Sequence, residues 1–133
     1  AQKAERISAL TRDISEVIAK EDLSPLEIKP AGKIAFHPPC TLQHGQQLSG
    51  TVETILTKAG FELLPIADRH LCCGSAGTYS ILQPELANQL KANKLRNLQT
   101  DKPDIIATAN IGCQEHLRTD SKVPVVHWIE LIE

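Results

Sequence analysis

Apolar residues along the chain alternate between helical and strand-like spacing. From Ala4 to about Lys20 they fall at Ile7, Leu10, Ile14, Val17 and Ile18. This three-and-four spacing lines one face of an α-helix, so an amphipathic helix is expected there. Glu21 to Gly32 carries two prolines and reads as a linker. Lys33 to His37 has the length and apolar density of a short buried strand. Pro38-Pro39 stops strand and helix alike, which leaves Cys40 on a stiff loop. Leu48, Val52, Ile55 and Ala59 then share a helical face, with Gly60 placed to cap it. Phe61 to Ile66 is a second strand. Pro84 fits the first turn of a helix reaching about Gln99, with Leu86, Ala87, Leu90, Leu95 and Leu98 on a broad apolar side.

Asp104 to Ala109 reads as a third strand, ending at Asn110-Ile111-Gly112-Cys113, where a short helix begins. Val123 to His127 is a fourth strand, and Trp128 to Ile132 a last helical turn. Strands alternating with helices predict an α/β fold: a small, mostly parallel four-stranded sheet with flanking helices. Two parts are expected, an N-terminal helix and linker over 1–32 and a cysteine-bearing domain over 33–133. The Leu48/Val52/Ile55 and Leu86/Leu90 stripes read as core packing.

The length of 133 residues suits one core, and with 3% aromatics that core must be mostly aliphatic. The formal charge of −2 and the lack of a basic stripe exclude nucleic acid as a partner. No apolar run approaches the ~18–20 residues of a bilayer span. No secretory leader opens the chain, so a cytoplasmic location is expected. The chain has no methionine and begins Ala1-Gln2-Lys3, as expected of a domain from a longer polypeptide.

Four cysteines in a chain of this size do not make a disulfide scaffold, and the adjacent Cys72 and Cys73 are poorly placed to bridge each other. In a reducing compartment such a set points to metal or redox chemistry. Cys40 follows the first expected strand, Cys72 and Cys73 the second, and Cys113 the third. In a parallel sheet these loops share the carboxyl edge, where open α/β sheets bind ligands. Residues distant in sequence are therefore expected to converge. Structural zinc ligands come in pairs with roughly two to four residues between them. Here 31 residues separate Cys40 from Cys72 and 39 separate Cys73 from Cys113; Cys113-x-x-His116 is the one short pair. Adjacent thiolates suit a polynuclear iron–sulfur cluster, whose irons they can reach separately, and such clusters usually take four thiolates. Three chemistries stay open on these grounds: a cluster, zinc, or thiol redox exchange.

Other residues near the cysteines have plainer readings. His37 abuts the Cys40 loop and is placed to hydrogen-bond loop backbone or a thiolate. His44 and His70 read as surface or capping residues, and His127 as packing at a strand end. Gly74 and Gly77 serve a backbone turn. Their Gly-Ser-Ala-Gly stretch lacks the Gly-Lys-Ser/Thr ending of a phosphate loop.

The motifs His37-Pro38-Pro39-Cys40-Thr41-Leu42-Gln43-His44-Gly45-Gln46, Leu71-Cys72-Cys73-Gly74-Ser75-Ala76-Gly77-Thr78-Tyr79, Ala109-Asn110-Ile111-Gly112-Cys113-Gln114 and His127-Trp128-Ile129-Glu130-Leu131 resemble the cysteine-rich CCG domain. That domain occurs in heterodisulfide reductase, in lactate-utilisation and anaerobic glycerol-3-phosphate dehydrogenase subunits, and in glycolate oxidase. The likeness spans about residues 33 to 133 and is strongest to the C-terminal domain of the glycolate oxidase iron–sulfur subunit.

The resemblance implies electron transfer. A flavoprotein subunit oxidises glycolate to glyoxylate, and the iron–sulfur subunit passes electrons onward, towards a quinone pool. It implies partners in those flavoprotein subunits and in an upstream ferredoxin-type domain of the same subunit. The location becomes cytoplasmic, or peripheral at the inner membrane face through the complex. Cys40, Cys72, Cys73 and Cys113 become ligands of a 4Fe–4S cluster, cubane or non-cubane, with zinc as the alternative and loss of the cluster expected in an isolated domain handled in air. The heterodisulfide reductase pattern has a fifth cysteine in Cys-x-x-Cys. Here His116 stands in its place, and imidazole serves both some clusters and zinc.

Overall fold

A computed structural model of the chain describes residues 1–30 and 32–133. Ala31, in the expected linker, lies outside the described residues. Four parallel strands, β1 (Lys33–His37), β2 (Glu62–Leu63), β3 (Ile105–Thr108) and β4 (Val125–His127), form one sheet in the order β2-β1-β3-β4. The α/β expectation holds. The connections are α3 (Thr51–Lys58) between β1 and β2, α4 (Tyr79–Leu82) and α5 (Pro84–Leu98) between β2 and β3, and α6 (Ile111–Arg118) between β3 and β4. Strand order reverses between β1 and β3. The crevice beyond their carboxyl ends is the ligand position of an open α/β sheet.

Strand alternation sends β1 side chains to two cores. Ile34 and Phe36 join Val52, Ile55, Leu56, Phe61, Ala107 and Trp128 on the α3 side. Ala35 joins Ile106, Leu95, Leu98, Leu117 and Val125 on the α5–α6 side, and Cys73 and Cys113 belong to that second core.

Several boundaries differ from expectation, each for a local reason. The N-terminal stretch forms two helices, α1 (Gln2–Leu10) and α2 (Ile14–Ile18), rather than one. Thr11 turns extended. The Asp13 carboxylate accepts the Ser15 N–H at 2.9 Å, and Glu16 accepts the Asp13 N–H at 2.8 Å. An aspartate that competes for backbone N–H groups starts a helix better than it continues one. Ile7 and Leu10 stay exposed, and α1 buries no residue.

The second strand is cut to two residues because Pro65 cannot donate to the ladder; its last bond is Leu64 N–H to Ile34 C=O, 2.9 Å. Pro124 likewise delays β4 to Val125. A single π-turn covers Thr41–Gly45, so α3 begins only after Gly50, whose φ is +85°. The Leu86/Leu90 stripe is not core: Leu86 is exposed. The face of α5 that is buried holds Ala87, Lys91, Lys94, Leu95 and Leu98 instead. The last turn, Trp128–Ile132, is 3-10 helix as expected of a short terminal segment.

Candidate metal centre

Each cysteine is delivered by a different device. Beyond β1, Pro39 C=O accepts the N–H groups of Leu42 and Gln43, both at 3.0 Å, and this fixes the turn that opens at Cys40. Gln43 Nε2 donates to Pro38 C=O at 2.8 Å and reaches Arg69 C=O at 3.5 Å, tying this turn to the segment that leads to Cys72.

At the Cys72-Cys73-Gly74 bend, Gly74 has φ +94°. Its N–H donates to Cys72 Sγ at 3.2 Å. A Cβ there would stand 2.4 Å from Ala87 C=O in α5. The glycine therefore lets the bend press onto the helix and drive Cys73 inward. Cys113 rides on the first turn of α6. Asn110 caps that helix, its Oδ1 accepting Gly112 N–H at 2.9 Å and Cys113 N–H at 3.2 Å.

The loops converge. Cys73 is 1% exposed and Cys113 7%, while Cys40 and Cys72 are half-buried. Ser75 Oγ lies 3.4 Å from Cys73 Sγ and 3.7 Å from Cys113 Sγ, so its hydroxyl bridges the two sulfurs. The Cys73 thiol is held far below the usual thiol range, first by a hydrogen bond from Cys113, then by the His37 ring and Ser75, against the opposing effect of burial. Cys113 is pushed up by the same bond, by burial and by the charge on Cys73. The pair thus favours negative charge on Cys73 and a proton on Cys113. Burial pushes the Cys40 thiol up, with Cys72, its hydrogen-bond partner, and Cys73 adding. A cation placed among them would displace protons, as metal binding to thiols does.

His37, the last residue of β1, lies on the same sheet face as Ala35. It is 1% exposed, and one of its ring nitrogens lies with Cys73 Sγ and Cys113 Sγ in a group whose members are all within 4.8 Å of one another. No oxygen or nitrogen atom lies within hydrogen-bonding distance of either ring nitrogen, so the polar atoms the ring faces are the two sulfurs. Its backbone carbonyl is held by Thr108 Oγ1, buried on β3, at 2.9 Å. A buried polar atom without a partner costs about 1–3 kcal/mol. Soft thiols with a buried imidazole suit a thiophilic metal or an iron–sulfur cluster, so the residues present fit such a group.

One cation flanks the thiols. Lys94 is 2% exposed, and its Nζ donates to Asp68 C=O at 2.9 Å and Arg69 C=O at 3.3 Å, on the segment before Cys72. Burial lowers its affinity for a proton, while the charges of Cys73, Cys40, Asp68 and Cys72 oppose that loss. Its helix neighbour Lys91 is also buried but pairs with Asp120 at 2.5 Å. Lys94 forms no salt bridge among the described residues, and the negative groups facing it are Cys73 first, then Cys40 and the Asp68 carboxylate.

The remaining histidines stand apart. The His116 ring reaches Ala87 C=O at 3.4 Å, outside the compact donor group. His44 and His70 are exposed. His127 Nδ1 accepts Ile129 N–H at 3.3 Å, capping the final turn. Asn110 was not singled out, although an asparagine at the expected start of a helix is the signal of a cap. Lys94 was legible only in retrospect, as a lysine on the face of α5 shared by Ala87, Leu95 and Leu98. A cavity of about 760 Å³ between α2 and α3, lined by Leu23, Leu26, Ile28 and Ile55 among others, holds none of the cysteines. Among the described residues no helix is long and apolar enough to cross a membrane.

Comparison with known proteins places this geometry. The whole chain is 50% identical to the glycolate oxidase iron-sulfur subunit of Escherichia coli K12 and covers 33% of that protein. It is 26% identical over 99% of its length to the uncharacterized protein YkgE of the same organism, and 26% identical over 98% to lactate utilization protein A of Geobacillus thermodenitrificans, covering 58% of each. The chain thus spans a third to just under three fifths of these relatives. Residues 34–118, from β1 through the end of α6, match the cysteine-rich domain designated CCG. The match takes in all four cysteines and the bend that Gly74 makes possible, and the chain belongs to the CCG family of cysteine-rich domains.

Proposed function

We propose that the chain is an electron-transfer domain of a glycolate oxidase iron–sulfur subunit, holding an iron–sulfur cluster on Cys40, Cys72, Cys73 and Cys113. The observation that carries this reading is the convergence of four thiols at the crevice between β1 and β3. The 50% identity to an iron–sulfur subunit supports it. A bound cluster would supply one-electron chemistry. The protein supplies four sulfur ligands, the Lys94 charge beside them, and an apolar wall formed by Leu95, Leu98 and Leu117 that excludes water. Cys40 and Cys72, half-buried, form the side nearest solvent and hence the edge for electron exchange with a partner.

Electrons would come from a flavoprotein subunit that oxidises glycolate to glyoxylate, by way of an upstream ferredoxin-type domain, on the cytoplasmic side of the membrane. His116 would join the ligands only by giving up its contact with Ala87 C=O. Iron and acid-labile sulfide analysis with EPR, on protein purified without oxygen, tests the reading. Iron and sulfide in matching amounts with an EPR signal on reduction are expected. Stoichiometric zinc without sulfide would overturn it.

A mononuclear zinc centre that organises the subunit is the second reading. It is favoured by the compactness of the donors around Cys73 and Cys113, which is the scale of a single ion. Its mark would be zinc retained through purification and a chain that unfolds when a chelator removes it.

A further inference from the structure

We infer that His37 is a ligand of the centre, sharing one metal atom with Cys73 and Cys113. The inference rests on the metal-centre reading above, and holds for a cluster iron or a zinc alike. His37 ends β1, at the point where strand order reverses, and alternation along β1 directs it to the α5–α6 side, where both buried cysteines lie.

A histidine at that position could be satisfied in an ordinary core by a carbonyl or hydroxyl. Here Thr108 Oγ1, on the β3 residue paired with His37, is spent on the His37 carbonyl. Ser75 is spent on the two sulfurs. The ring, in a site 1% exposed, is left with the sulfurs of Cys73 and Cys113 as the polar atoms it faces. Buried polar groups in native proteins almost always find full partners, and thiol sulfur is a weak one, so a buried ring facing two thiols calls for a stronger one.

The distances suit a metal. Zn–S of about 2.3 Å and Zn–N of about 2.0–2.1 Å put tetrahedral ligand atoms roughly 3.5–3.8 Å apart. The three donors already lie within 4.8 Å of one another, so a modest contraction would close the site. Imidazole nitrogen is also a known replacement for thiolate on cluster iron, where it raises the reduction potential. The site would then be a mixed sulfur–nitrogen centre, completed from Cys40 and Cys72.

Cobalt(II) added anaerobically to the reduced chain tests this with a readout independent of electron transfer. His37→Phe removes both nitrogens and keeps a planar ring somewhat larger than imidazole, so the metal-free variant should fold with a modest loss of stability from overpacking. Its cobalt affinity, measured by chelator competition, should fall by at least ~10-fold, the lesser cost of losing even a residue that only supports a ligand. His37→Cys should restore affinity and add intensity to the thiolate-to-cobalt charge-transfer band. Unchanged affinity and spectrum in a folded His37→Phe variant would overturn the assignment. If that variant fails to fold, an unchanged charge-transfer band in His37→Cys would overturn it equally. In iron-loaded protein the same ligation predicts a nitrogen hyperfine coupling that disappears in His37→Phe. A parent lacking iron and sulfide would defeat the electron-transfer reading and leave the cobalt comparison standing. A flat cobalt comparison would defeat His37 and leave the iron count standing.

Discussion

Replacing Gly74 by alanine perturbs the point where the Cys72-Cys73 bend meets α5. The new Cβ would stand 2.4 Å from Ala87 O and 3.1 Å from Ala87 C and Cα, all of them backbone atoms. The short end of ordinary C–H···O contacts is about 3.3 Å, so bend or helix must give way by roughly 0.9 Å. A φ of +94° adds backbone strain for any residue with a Cβ. Left-handed backbone costs about 1–2 kcal/mol and overpacking about 1–3, together ~2–5 kcal/mol. That is a large share of the ~5–15 kcal/mol that holds a domain of ordinary stability.

Trp128 is the one tryptophan and is fully buried, so its fluorescence reports unfolding of the reduced, metal-free chain in urea. With m near 2 kcal/mol per molar, the midpoint should fall by ~1–2.5 M. Metal content should fall with it, because the displaced bend carries two of the four thiols. Gly45→Ala is the control: no atom lies within 4 Å of its Cβ position, and a change within about 0.5 kcal/mol is expected. A Gly74→Ala variant with the parent's midpoint and metal content would refute the account of why glycine follows the cysteine pair.

Three other outcomes are expected. Asn110→Ala removes the acceptor for Gly112 and Cys113 N–H, and should cost about 1 kcal/mol in urea unfolding while loosening metal retention measured by chelator competition. Lys94→Met leaves the buried Cys73 sulfur without its flanking ammonium, so the metal-free chain should lose about 1–3 kcal/mol in urea unfolding. Its anionic centre loses its flanking cation, so the reduction potential of a bound cluster should become more negative by film voltammetry. Asp13→Ala breaks the α2 cap and should cost about 1 kcal/mol locally, seen as faster amide exchange in residues 14–18, without moving metal affinity.

Much of this was written in local patterns. Ile34, Ala35 and Phe36 bounded by Pro38-Pro39 specify a short buried strand, because proline removes the donor that would extend it. Pro84 and the apolar positions after it specify α5. Strand–helix alternation requires parallel strands, and parallel strands place the loops bearing Cys40, Cys72-Cys73 and Cys113 at one edge. The sequence by itself therefore determined that the loops carrying four distant thiols share one edge of the sheet.

It did not determine where N-terminal apolar residues would go. Ile7 and Leu10 have helical spacing, but periodicity records a face and not whether anything covers it. Nor did it specify the ring and the charge at the centre. His37 was expected beside the Cys40 loop, placed to hydrogen-bond backbone or a thiolate; strand pairing put it opposite Thr108 and beside both Cys73 and Cys113. Lys94 carries no local signal that sets it apart from other lysines; only the packing of α5 buries it, against the segment that leads to Cys72. Both depend on contacts between segments far apart in the chain. Burial and the loss of water partners exist only once those segments are packed, so the chemical character of the centre is a property of the tertiary structure.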